Sequence, residues 1–112
     1  MTAALLLLTL AQPFAGAGPA AECRALAHRG RNIEAQNCFS ALVRRPDAWA
    51  RAEGLWGLGR YREANDEFRR AVAERPRDPD CRVRWGRLLL ERFNPGEAAE
   101  LFQEALQLRK DH

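Results

Sequence analysis

A recurring alanine–phenylalanine–alanine pattern is the feature that most constrains how this chain folds. Two sets with this pattern lie 34 positions apart: Ala64, Phe68 and Ala71, then Ala98, Phe102 and Ala105. A weaker copy precedes the first set by 29 positions: Ala35, Phe39 and Leu42. A period of this length, built from two helices, is typical of stacked helical hairpins. In such a stack, small residues let helices cross closely and aromatic rings fill the gaps beside them.

Residues that favour helix ends divide the chain after residue 20 into six segments. Asp78 and Asn94 each place an N-capping side chain before a proline at the first helical position. Asp47 is a third cap, and Gly59 ends the helix that begins there. No segment alternates polar and apolar residues for long, so we expect no strand. The predicted helices span 20–29, 32–44, 48–58, 60–74, 79–92 and 95–109.

The second unit resembles a tetratricopeptide repeat with every marked position filled. These positions run from a turn glycine to a closing proline: Gly59, Tyr61, Ala64, Phe68, Ala71 and Pro76. The next unit resembles the same family at Gly86, Leu89, Ala98, Phe102 and Ala105. There, however, Phe93 and Pro95 stand where the family usually has Gly and Tyr. An unrelated helical bundle is the alternative.

The resemblance covers about residues 20–109 and implies an all-α fold. The family's architecture is an α-solenoid of antiparallel helical hairpins, stacked into a right-handed superhelix. It implies about three units, at roughly 20–45, 46–77 and 78–110, of which the first is degenerate. The first helix of each unit lines the concave face, where such proteins hold a peptide segment or a partner domain. They are typically non-enzymatic scaffolds.

By that geometry, one stripe of each first helix faces the groove. The candidate partner-binding residues are Trp49, Glu53, Trp56, Val83, Arg87, Leu90 and Glu91, with Arg24 and His28 as counterparts in the first unit. Two tryptophans beside a carboxylate form a reasonable anchor, because aromatic residues dominate interface energetics. The alternative is that these indoles pack against a neighbouring hairpin. We expect Trp85 to lie in the core.

Some members of the family clamp the terminal carboxylate of chaperone tails. Only Arg84 occupies such a clamp position in this sequence, whereas Ala20, Ala50 and Asp80 stand at others. We therefore do not expect this chain to bind chaperone tails.

The sequence contains no catalytic, metal-binding or nucleotide-binding motif, so we expect neither enzymatic activity nor a cofactor. A net charge of +3 and seventeen arginines make nucleic acid the main alternative partner. A phosphate-binding face requires clustered cations. The closest cluster is Arg82, Arg84 and Arg87, which Asp78, Asp80 and Glu91 interrupt. We therefore expect a protein partner rather than nucleic acid.

Residues 1–17 have the pattern of a signal peptide. Residues 3–11 are almost entirely apolar, too few to span a bilayer, and Ala15 and Ala17 suit a signal peptidase. The departure is that no Lys or Arg precedes them; a wrongly assigned start or a cytosolic leader is the alternative. We expect export to the periplasm or outside the cell, and a cytoplasmic location otherwise.

The three cysteines leave at least one thiol unpaired. Cys23 and Cys38 could be bridged across one hairpin in an oxidising compartment. Facing helices usually hold their Cα atoms farther apart than the limit of about 7 Å for a disulfide. We therefore expect these cysteines to pack as small apolar residues.

The repeat pattern continues almost to His112 with no polar closing helix after it. Solenoids need a polar cap over their last apolar face. The second hypothesis is therefore that the chain is an N-terminal arm or fragment of a larger enzyme or of a secretion or assembly component. Self-association through the last hairpin is a further alternative.

Overall fold

The computed structural model describes residues 18–111, which form six α-helices and no strand. The helices are α1 (Ala21–His28), α2 (Asn32–Val43), α3 (Ala48–Gly57), α4 (Tyr61–Glu74), α5 (Pro79–Arg92) and α6 (Pro95–Lys110). The all-α prediction is confirmed for this part of the chain, and each helix end lies within one residue of its predicted position. No helix described is both long and apolar enough to cross a bilayer. The signal peptide predicted at 1–17 lies outside the described residues.

Side-chain caps begin α3, α5 and α6. The carboxylates of Asp47 and Asp78 each accept a hydrogen bond from the backbone N–H two residues later, at 3.1 and 2.9 Å. The Asn94 side chain accepts two, from the N–H groups of Gly96 and Glu97. These bonds satisfy N–H groups that have no partner within the helix, and they fix where each helix starts.

Glycines with positive φ end α1 and α3. Gly30 has φ +76° and Gly59 has φ +80°, a conformation that costs other residues more. At Gly59, its N–H donates to the carbonyl of Trp56, and the next N–H donates to that of Leu55. The third hairpin turns differently, because Phe93 stands at the corresponding place with φ −131°.

The helices pack in adjacent pairs around three apolar clusters. The first cluster comprises Ala20, Cys23, Ala35, Phe39, Leu42 and Ala50. The second comprises Ala48, Trp49, Ala52, Leu55, Ala64, Phe68, Ala71, Cys81 and Leu88. The third comprises Leu89, Ala98 and Leu101, with Phe102 packed against it. Each of the first two clusters takes residues from one hairpin and from the helix that follows it. Half-buried Trp85 packs against both the second and the third.

The repeat positions pack in two neighbouring clusters: Ala64, Phe68 and Ala71 in the second, and Ala98 in the third with Phe102 against it. Ala64, Phe68 and Ala71 have no exposed surface, and Ala98 and Ala105 are buried. Phe102 lies so close to Gly86 that a Cβ atom there would be 2.5 Å from the ring. A glycine at this position therefore lets α5 and α6 cross closely.

Cys23 and Cys38 form a disulfide, so the expectation that they pack unbridged is wrong. Their Cα atoms are 5.4 Å apart, well within the range for a bridge. Buried Ala20 and Ala35 lie in the same cluster, and side chains this small let α1 and α2 approach more closely than average helices. Cys81, on α5, is a free and fully buried thiol.

Candidate functional site

A concave pocket of about 460 Å³ lies where the first helices of the three hairpins meet. Its walls come from α1, α3 and α5, with one residue each from α2 and α4. The residues that line this concave pocket are Arg24, Ala27, His28, Phe39, Glu53, Trp56, Gly57, Tyr61, Arg84, Arg87 and Glu91. It therefore combines arginines, carboxylates and aromatic rings from all three hairpins.

The Glu53 carboxylate connects the three walls of the pocket. Glu53 is only 2% exposed, yet both of its oxygens are bonded. Arg84 of α5 donates to both oxygens, at 2.7 and 2.9 Å. Arg24 of α1 donates to Oε1 at 3.3 Å, and the indole N–H of Trp49 donates to Oε2 at 3.1 Å. A buried carboxylate is tolerated only when it is paired and hydrogen-bonded, as Glu53 is here.

Aromatic rings on which arginines stack form one side of the pocket. The Arg84 guanidinium lies 4.5 Å from the centre of the Trp56 ring, and Arg92 lies 4.2 Å from that of Tyr61. The Trp56 ring in turn meets Phe68 edge to face, with centroids 6.1 Å apart. Cation–π and aromatic contacts of this kind hold the rings in place. Arg84 is thus fixed by a carboxylate and by a ring face.

Positive charge exceeds negative charge around the pocket. Three arginines and two glutamates line it, and Arg24 and Arg84 share the single buried carboxylate of Glu53. Burial lowers the pKa of Arg24, and the nearby charge of Arg84 lowers it further, against the opposing effect of Glu53. Arg87 is exposed at the rim and forms no ion pair among the described residues. An anionic group would therefore be favoured in the pocket.

Four of the predicted groove residues line the concave pocket: Glu53, Trp56, Arg87 and Glu91. Arg24 and His28, their predicted counterparts on α1, line it as well. Trp49, Val83 and Leu90 do not. Val83 is half-buried, and Leu90 is 54% exposed.

Trp49 packs inside the molecule, which was the alternative interpretation of its position. It is 5% exposed and belongs to the second cluster. Arg75 lies 5.3 Å from its ring centre, and a Cβ atom on Gly18 would lie 2.7 Å from the ring. Its indole N–H donates a hydrogen bond to Glu53, so Trp49 helps to position that carboxylate without lining the pocket itself.

Sequence reasoning considered Arg84 as a clamp position for chaperone tails and as part of an arginine cluster, and it did not place Arg84, Tyr61 or Phe39 in the groove. One pattern could have indicated the role of Arg84. Glu53 lies in an otherwise apolar helix face, and a buried carboxylate requires a cation from elsewhere in the chain. That partner lies on α5, in the next hairpin, and its identity depends on how α3 and α5 pack.

The described residues contain no group of three or more His, Cys, Asp or Glu side chains that could hold a metal ion. Burial, with a smaller contribution from the nearby Asp78, raises the pKa of the Cys81 thiol to about 12. A thiol that stays protonated is a poor nucleophile. Cys81 therefore acts as a small apolar residue of the core.

No protein-family model matches the chain, and no solved structure matches it. The resemblance to tetratricopeptide repeats therefore rests on residue spacing alone.

Proposed function

We propose that this chain is a non-enzymatic interaction module that binds a segment of a partner polypeptide in the concave pocket. The segment presents an acidic side chain next to a bulky apolar one. In this proposal the three hairpins stack as an α-solenoid of the tetratricopeptide type. The first helices of the hairpins then form a continuous binding face.

The observation that carries this proposal is the excess of arginine in a pocket with aromatic walls. Arg87 at the rim offers an acidic side chain a charge-assisted hydrogen bond. Trp56 and Tyr61 offer a neighbouring ring or aliphatic chain the apolar surface that their stacked arginines leave uncovered. Such a pair of contacts gives both orientation and affinity.

The packing of the hairpins supports the repeat assignment. The alanines of the pattern are buried in both units: Ala64 like Ala98, and Ala71 like Ala105. Each of the first two clusters extends onto the next helix, as nearest-neighbour stacking requires. The concave pocket lies between α1, α3 and α5, and in this proposal the partner segment binds there.

Peptide titration tests the proposal. The probe is a short fluorescein-labelled peptide of glutamates around one phenylalanine, compared with its lysine counterpart by fluorescence anisotropy. We expect the acidic peptide to bind and the basic one to bind at least about tenfold more weakly, with affinity falling as salt is added.

Charge reversal at the rim locates the site. We expect Arg87→Glu to weaken binding of the acidic peptide about tenfold or more. Arg62→Glu makes the same charge change at an exposed position on α4 outside the pocket and serves as the matched control. Equal losses in the two variants, or tighter binding of the basic peptide, would contradict the proposal.

A second candidate is that the chain forms part of a larger assembly. Leu90 and Leu106 are 54% and 58% exposed. The residues 34 positions earlier, Trp56 and Val72, pack against the second cluster, which includes residues of α5. By analogy, a further helix would cover Leu90 and Leu106, supplied by a longer array or by a second copy of the chain.

Sedimentation distinguishes these arrangements. If a second copy covers the face, the chain sediments as an oligomer, and Leu90→Gln with Leu106→Gln converts it to a monomer. If the wild-type chain is already a soluble monomer, self-association through this face is excluded.

We also propose that the chain is exported. The Cys23–Cys38 bridge supports an oxidising compartment, because disulfides are rare in the cytosol. Fractionation of the source cells tests this: the chain should be found outside the cytoplasm, with residues 1–17 removed.

A further inference from the structure

We infer that the concave pocket is complete only after Cys23 and Cys38 have been oxidised to the disulfide, so that this bond controls partner binding. The binding half of this inference rests on the proposed function. The structural half, that the disulfide holds α1 against the other helices, does not depend on the proposed function.

One wall of the pocket is formed by α1, the shortest of the six helices described. Arg24, Ala27 and His28 all lie on α1, which has only eight residues. Isolated helices shorter than about 12–15 residues are marginal in water. The position of this wall therefore depends on how α1 docks.

Within the described part of the chain, α1 buries little apolar surface besides its disulfide cysteine, and half-buried Leu26 packs against the first cluster. It packs chiefly against α2, and Cys23 is its only buried residue. Its ion pair with α3, between Arg24 and Glu53, spans 3.3 Å and is 29% exposed on the arginine side. The Cys23–Cys38 bridge is thus the strongest tie between α1 and the remaining helices.

The disulfide also positions Arg24, which completes the α1 wall of the pocket. Cys23 immediately precedes Arg24, so anchoring Cys23 to α2 places the next side chain toward Glu53. Without the bridge, Glu53 would retain its two bonds from Arg84 and its bond from Trp49. We therefore expect loss of the bridge to disturb the α1 wall while the other helices stay folded.

The chemistry is a thiol–disulfide exchange. The two thiols lose two protons and two electrons and form the S–S bond, and a disulfide-bonded oxidant accepts the electrons and becomes a dithiol. A dithiol reductant reverses the step. A chain kept in a reducing compartment would therefore have an incomplete pocket, which oxidation after export would complete.

Hydrogen exchange tests the structural half. Removing a disulfide that spans 15 residues lowers the equilibrium constant for folding of the linked segment on the order of a hundredfold. In Cys23→Ala/Cys38→Ala we expect α1 amides to exchange at least about tenfold faster than in the oxidised wild type, with α5 and α6 unchanged. Cys81→Ala, which keeps the bridge, is the matched control. Dithiothreitol should reproduce the effect in the wild type and add nothing in the double variant.

Two results would overturn this half of the inference. One is unchanged protection of α1 in the double variant. The other is equal loss of protection in all six helices, because the bridge would then support the whole fold rather than one wall.

Anisotropy with the glutamate–phenylalanine peptide tests the binding half on the same proteins. We expect the double variant and the reduced wild type to bind it at least about tenfold more weakly than the oxidised wild type. Faster α1 exchange with unchanged affinity would overturn the inference. If the oxidised wild type does not bind the peptide, the proposed function fails instead, and the exchange data still decide whether the bridge holds the wall.

Discussion

The Glu53 side chain is bonded by residues of several helices in this small helical protein. It is buried on α3, and residues from α1, α3 and α5 bond to its two oxygens. A carboxylate with this many donors aligns the helices that carry them. The cost of removing its charge is therefore greater than that of losing one surface ion pair.

We expect Glu53→Gln to lower the free energy of unfolding by about 3 kcal/mol, because it removes the buried negative charge to which Arg24 and Arg84 both bond. Urea unfolding followed by circular dichroism measures this change. Glu91→Gln removes an exposed carboxylate from the same pocket and should cost less than about 0.5 kcal/mol. Similar values for the two variants would show that the buried Glu53 carboxylate stabilises the fold no more than an exposed one does.

Cys81 makes stability depend on pH on the alkaline side. Its pKa is raised from 9.0 to about 12 in the folded chain, so the unfolded thiol loses its proton first as the pH rises. Ionisation therefore favours the unfolded state above about pH 9. From pH 8 to pH 10, wild-type stability relative to Cys81→Ala should fall by about 1 kcal/mol in urea unfolding. A constant difference would mean that the thiol is solvated.

At the scale of single helices, the sequence determined most of the result. Asp47, Asp78 and Asn94 cap the helices they were predicted to cap, because capping depends on nearby backbone groups. The third turn differs from the other two, since Phe93 stands where they have a glycine. There the N–H of Asn94 donates to the carbonyl of Leu89 without a positive φ.

The turn after α3 provides a test at this scale. Gly59 has φ +80°, and the nearest atom to a Cβ there would be 4.0 Å away, so the cost of substitution is conformational rather than steric. We expect Gly59→Ala to destabilise the chain by about 1 kcal/mol and Gly59→Asn by clearly less, because Asn tolerates this region. Thermal unfolding of both variants measures the difference. If Ala and Asn cost the same, the turn does not require the left-handed conformation.

At the scale of the whole molecule, sequence reasoning predicted some of the residues that line the concave pocket but not others. Trp56 and Arg87 line the pocket because helix periodicity places them on the inner stripe. Trp49 shares that stripe and is buried instead, since Gly18 lies against its ring, a contact that periodicity does not encode. The disulfide was missed for a related reason, because an average helix separation does not reflect the small residues between α1 and α2.

The most direct measurement of the central claim uses the three tryptophan indole N–H groups, followed by ¹⁵N NMR as the glutamate–phenylalanine peptide is added. Trp56 lines the pocket, whereas the Trp85 indole is bonded to Asn65 at 2.8 Å outside it. If the pocket formed by α1, α3 and α5 is the binding site, the Trp56 resonance shifts with saturation and that of Trp85 stays fixed. A shift of Trp85 with Trp56 unmoved would contradict the account.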